Sequence, residues 1–227
     1  MNDEVAAASA GLMSAWTPAR GLHWSSALSA RLMDRLEQGI LLVLFSLLCW
    51  RMLPGSLAAH HWYALMILLS ESTILFFALI RRPTAQITAS PAEWAVAFSG
   101  SMVPLLVANG SSPFMPKVGL GLLVIGWMIH TGAKLSLRRS FGIVPADRGV
   151  KTGGLYGLVR HPMYLGYLVT HVGFFLSVPS MWNYFVYAFT WICFVMRIRA
   201  EERVLGHKAE YRAYRDRVRY RLIPGLW

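Results

Sequence analysis

Apolar residues along this chain gather in blocks at 38–57, 62–80, 92–109, 117–136, 163–179 and 181–197. Each approaches the roughly 20 residues an α-helix needs to cross a bilayer. Ser-Pro at 90–91, NGSSPFMP at 109–116 and VPS at 178–180 read as turns between blocks, because Gly and Pro interrupt helices and fix tight bends. The last two blocks therefore predict a tight helical hairpin. The fold class expected is all-α: a polytopic membrane protein with about six transmembrane helices. A loose cytoplasmic arm is expected over 1–37 and the first four helices over 38–136.

The distribution of cations supports this reading and orients it. With the N-terminus inside, 20 of the 22 Lys and Arg residues fall on the inner side, leaving Arg51 and Lys117 toward the outer one. Such a bias is what orients membrane helices, and it puts both termini in the cytoplasm. A composition of 56% hydrophobic and 15% charged residues, with mean hydropathy +0.45, agrees with a membrane protein. The net charge of +11 does not call for a nucleic acid, since a basic inner face meeting anionic lipids accounts for it. The acidic start MNDEVAAASAG lacks the features of a cleaved signal peptide.

Few polar residues inside the blocks suggest chemistry. Cys49 and Cys193 lie in expected spans, where a free thiol acts as a small apolar side chain. His60, His61, His130 and His171 have no metal-ligand spacing, so no metal site is expected. Glu71, in the second block, is assigned to helix packing, as are His130 and His171. Gly119, Gly121 and Gly126 lie within a span and serve helix contact; no strand precedes them, which excludes a Rossmann nucleotide fold.

Polarity concentrates instead at 134–160 and 197–227. The first segment, KLSLRRSFGIVPADRGVKTGGLYGLVRHP, has glycines at 142, 149, 153 and 154 that permit irregular backbone near a ligand, as a lid or as a plain connector. The second, RIRAEERVLGHKAEYRAYRDRVRYRLIPGLW, has Val204, Tyr211, Tyr214 and Val218 at near-helical spacing, predicting an amphipathic tail. Glu201 and Glu202 stand just past the membrane boundary, either as site residues or as surface acids among nine Lys and Arg. Pro162 suits the first turn of a helix, with His161 directly before it.

Four elements in order, RSFGI at 139–143, RHPMYLG at 160–166, RIRAEE at 197–202 and the Y-x-x-Y with R-x-I-P tail at 211–224, resemble the isoprenylcysteine carboxyl methyltransferase and phospholipid methyltransferase family. The resemblance covers residues 134–227, as a loop at 137–162, a hairpin at 163–197 and a tail at 198–227. It implies an integral-membrane enzyme that uses S-adenosylmethionine and methylates a lipophilic acceptor arriving from the bilayer. The acceptor expected is a prenylcysteine-like carboxylate; a phospholipid amine or a thiol is the alternative, and an NADPH-dependent reductase of the sterol-reductase type a more distant one. A transporter would spread its polarity over several spans, which this chain does not.

Carried over by motif, Arg160, His161, Pro162, Tyr164, Gly166, Glu201 and Glu202 would bind the cofactor, and Arg197 with Glu201 would be catalytic. The sequence departs from the family where many members have Gly-Pro-Tyr: here it is Gly154-Leu155-Tyr156, followed by Gly157. A bacterial inner membrane is the expected location.

Overall fold

The computed structural model describes residues 27–59, 62–84, 87–108 and 114–227. Its α-helices are α1 Ala27–Ala59, α2 Trp62–Ile80, α3 Pro91–Met102, α4 Pro116–Leu137, α5 Pro162–Ser177, α6 Met181–Gly206 and α7 Ala209–Arg217. Among the described residues, β pairing is limited to an isolated antiparallel bridge, Ile87 to Ala146. The first six helices fall on the six apolar blocks. The segment beginning at Pro116 is long and apolar enough to cross a membrane. Exposed Leu47, Trp50, Ile125, Met128, Phe185 and Ile192 give the bundle an apolar exterior suited to lipid.

Two expectations are corrected. The arm expected over 1–37 is in part helical, because residues 27–37 belong to α1. Asp34 and Glu37 are three residues apart, hence on one helix face, and both are buried against arginines from other elements. Residues 1–26 lie outside the described residues. The third block yields only a 12-residue helix followed by the 3₁₀ turn Val103–Leu106. That helix is about 18 Å long at 1.5 Å per residue, well short of a hydrocarbon core. Pro104 removes a backbone donor where the helix would continue. The expected turn at 109–116 lies largely outside the described residues, as do His60, His61 and the side chain of Glu71.

The hairpin follows its sequence signals closely. Pro162 opens α5, and Ser180 caps α6 by accepting the Asn183 N–H at 3.0 Å. Buried Asn183 exchanges two 3.0 Å hydrogen bonds with the backbone of Ala108 and donates to the Val178 carbonyl at 2.9 Å, so one amide ties the hairpin to the segment after α3. Small residues bring α4 and α5 together: a methyl group at Gly173 would stand 2.7 Å from the Gly119 carbonyl oxygen, and one at Gly166 would overlap the backbone of His130.

The long segment between α4 and α5 is pinned to the N-terminal half. Arg82 N–H donates to the Arg139 carbonyl at 2.8 Å, Thr88 N–H to Pro145 at 3.2 Å, and Thr84 Oγ1 to Asp147 at 2.8 Å. Of the two readings left open for this segment, a plain connector does not describe residues 139–147. The substitution Gly166→Ala must separate α4 from α5, and is expected to destabilise the protein by about 1–3 kcal/mol. A fall in the thermal unfolding midpoint of purified protein checks this; an unchanged midpoint would contradict the close packing.

Candidate functional site

Two cavities lie against the loop between α4 and α5. The larger is lined by the 142–151 segment, by Tyr156, Arg160, His161, Met163 and Tyr164, by Glu201, Val204 and Leu205 of α6, and by Tyr211 and Tyr214 of α7. The smaller is lined chiefly by apolar side chains from α2, α3, the loop, α5 and α6, including Ile74, Phe141, Ile143, Tyr167 and Phe194, together with Arg197. Met163 lines both.

The Arg160-His161-Pro162 corner explains why a cation and an imidazole precede an apolar helix. The backbone N–H groups of Arg160 and His161 donate to the carbonyls of Tyr220 and Arg221, both at 2.9 Å. Arg160 Nη2 donates to the Arg219 carbonyl at 3.2 Å. The corner thus holds the C-terminal tail across the cavity, helped by Tyr214, whose hydroxyl donates to the Tyr156 carbonyl at 2.8 Å.

Glu201 and Glu202 are adjacent on α6 and so point about 100° apart, which gives them different partners. Glu201 lines the larger cavity, accepts a short hydrogen bond from the Tyr164 hydroxyl and lies 3.8 Å from His161 Nδ1. Glu202 faces the tail: it lies 3.2 Å from His161 Nε2, 3.3 Å from Arg160 and 2.9 Å from Arg221 Nε. Burial alone would raise its carboxyl pKa, but the His161 and Arg221 hydrogen bonds and the Arg160 charge outweigh burial and bring it down to about 2.

Arg197 sits on the other side of Tyr164. Its guanidinium lies 5.3 Å from the Tyr164 ring centre, donates to Ser101 Oγ at 3.1 Å and to the Ile143 carbonyl at 2.9 Å, and has Nε buried without a partner. At 4% exposure it is a buried cation in a mostly apolar cavity. Tyr164 therefore links the two expected catalytic residues, with Glu201 at its hydroxyl and Arg197 on its face.

Not every expected contact belongs to the cavity. Gly166 packs on α4 and Pro162 starts α5; neither lines the cavity. Glu202 also lies outside the lining and holds the tail instead. The sequence reading omitted Arg148, Tyr156, Tyr211 and Tyr214, which line the cavity. It also missed Asp34, Glu37 and Arg81, which reach Arg148 from distant parts of the chain. The Tyr211 and Tyr214 spacing was a signal, read as amphipathicity and as part of the resemblance but not as cavity lining; for Asp34 and Glu37 the sole signal was two acids on one helical face.

His130 and His171 are buried in the bundle. Lys134 Nζ lies 3.2 Å from His130 Nδ1 and 3.0 Å from Thr73 Oγ1, while Trp191 Nε1 donates to His171 Nδ1 at 3.2 Å. His171 also stacks on Tyr187 with ring centres 4.4 Å apart.

Because the Glu202 pKa is lower in the folded state, its stabilisation is complete above the ordinary carboxylate value near 4.5 and is lost as pH falls through about 2. The Tm of the native protein should therefore fall more steeply across that window than the Tm of Glu202→Gln, which has no such contribution to lose. Parallel Tm curves would refute this role for Glu202.

Comparison with known proteins bears on what this site belongs to. No curated protein matches the chain. A solved structure of the eukaryotic intramembrane Ras methyltransferase ICMT (isoprenylcysteine carboxyl methyltransferase) is similar at 21% identity with a TM-score of 0.49, covering 83% of this chain and 74% of that one. The family described as phospholipid methyltransferase matches residues 116–209, which hold α4, the pinned loop, the Arg-His-Pro corner and the whole hairpin. The matched residues 116–209 contain the RHPMYLG and RIRAEE motifs on which the resemblance rested.

Proposed function

We propose that this protein is an integral-membrane methyltransferase that uses S-adenosylmethionine to methylate a lipophilic acceptor at the cytoplasmic face of the membrane. Six membrane-crossing segments, the third of them helical only over Pro91–Met102 and continued by the 3₁₀ turn Val103–Leu106, with both termini in the cytoplasm and a bacterial inner membrane, complete the reading. The observation that carries it is a pair of cavities that share Met163 in their linings, one beneath the cytoplasmic loop with Arg148, Arg160, His161 and Glu201 in its wall and the other with Arg197 as its buried cation. A water-soluble cofactor and a lipid-borne acceptor need neighbouring sites of this kind at the boundary.

The donor set of the larger cavity fits the cofactor. S-adenosylmethionine presents a carboxylate, an ammonium, a sulfonium and ribose hydroxyls. Among the residues lining the cavity, Arg148 Nε and Tyr211 Oη are buried without hydrogen-bond partners, which is costly unless a ligand supplies acceptors. Glu201 offers a carboxylate to the ammonium or a ribose hydroxyl, with Arg160, His161 and Tyr164 around it. When bound, the cofactor supplies a methyl group on a positively charged sulfur.

The chain's own residues then position and desolvate. Ser101 and the Ile143 carbonyl hold the Arg197 guanidinium at the apolar cavity, where its unpartnered Nε favours an acceptor that bears an anion. This supports a carboxylate acceptor over an amine, since a guanidinium pairs with an anion and offers a neutral or protonated amine no acceptor. Tyr164 separates Arg197 from Glu201, which keeps the acceptor's cation apart from the cofactor's carboxylate partner. Alignment of acceptor, methyl and sulfur, with water excluded by Phe141, Met163 and Phe194, provides the catalysis.

Calorimetric titration of S-adenosylmethionine and its demethylated product into nanodisc-embedded protein tests the reading. Saturable binding of both is expected, weakened at least about tenfold by Glu201→Ala. Arg197→Ala should retain cofactor binding and lose transfer of labelled methyl groups to a prenylcysteine-like carboxylate. Binding of NADPH in place of S-adenosylmethionine would sink the proposal in favour of a reductase.

A further inference from the structure

Arg148 stands out among the cations of the larger cavity because its surroundings come from outside the family segment. Its Nη2 lies 2.8 Å from Asp34 Oδ1 and 3.7 Å from Glu37 Oε2, and its side chain is 4% exposed. Arg81 completes the group, at 2.8 Å from each acid. Two carboxylates and two guanidiniums balance, so the cluster is neutral as a unit and Arg148 is not held as a stray charge.

The anchoring is directional. Asp34 and Glu37 engage Nη2, Nη1 reaches the Val144 carbonyl at 3.4 Å, and Nε is buried without a partner on a residue that lines the cavity. The guanidinium lies over Gly142, where a methyl group would stand 2.7 Å from Cζ, so the glycine makes room for it. Arg160, by contrast, is occupied by Glu202 and the tail, and Lys151 is exposed to solvent.

We infer that Arg148, fixed from behind by Asp34 and Glu37, binds the carboxylate at the amino-acid end of the cofactor. Asp34 and Glu37 are positioning residues, and through them the N-terminal half completes the cofactor site. The inference rests on the S-adenosylmethionine reading above and adds the residue that recognises one end of that molecule.

The test compares S-adenosylmethionine, S-adenosylhomocysteine and methylthioadenosine, which lacks the amino-acid end, by calorimetry on the full chain in nanodiscs. Arg148→Gln is expected to weaken the first two roughly 10- to 100-fold and to change methylthioadenosine binding less than about threefold. Because Arg148→Gln leaves an excess buried negative charge, the same series is run on the charge-balanced double variant Asp34→Asn with Arg148→Gln, and on Arg148→Lys. Equal weakening of all three ligands, or no weakening, overturns the inference while leaving the methyltransferase reading intact. The same selective loss on replacing the exposed cation in Lys151→Ala would also overturn it. Failure of the unmodified protein to bind any of the three would overturn both.

Discussion

The carboxylate of Glu37 sits at the point where the two halves of the chain are joined. It is fully buried on α1, 2.8 Å from Arg81, and its Oε1 accepts the backbone N–H groups of Ile143 and Val144 at 2.8 and 3.3 Å. A buried carboxylate without such partners would carry a desolvation penalty of several kcal/mol, so the helix, the α2 end and the loop must come together for any of them to be stable. From Ile143 the constraint continues, because its carbonyl accepts from Arg197. One acid on the first helix therefore fixes the backbone that positions the buried arginine of the sixth.

The paired acids of α6 show how a short motif divides its work. Successive residues on a helix are turned by about 100°, and the two carboxylates cannot share one environment. Glu201 is directed to Tyr164 and the cavity, whereas Glu202 gathers Arg160, His161 and Arg221 into a clamp on the tail. The Arg-His-Pro corner serves the same end through its backbone, so the floor and the cover of the cavity are built by the same few residues. On the proposed reading, this makes closure of the tail and assembly of the cofactor site a single event.

The apolar cavity and its arginine address a different problem. The cost of burying a guanidinium among Ile74, Phe141 and Phe194 is offset by Ser101 and the backbone carbonyls of Ala97 and Ile143, which accept from its donors. On the proposed reading, the donor left over, Nε, meets the anionic group of the acceptor.

The sequence by itself determined where the first six helices lie, though not the start of α1 or the end of α3, and the hairpin with its Pro162 and Ser180 signals; it also pointed to His161, Tyr164, Arg197 and Glu201 as neighbours. These were legible because apolar periodicity, proline and serine act on neighbours a few residues away. The sequence could not show that Gly166 packs on α4 or that Glu202 clamps the tail, since both depend on which face meets which partner. Nor could it show that Asp34, Glu37 and Arg81 enclose Arg148, more than 60 positions from the nearest of them. Only the tertiary structure decided those, because the charges of a buried cluster are balanced by residues that chain order leaves far apart and packing brings within 3 Å.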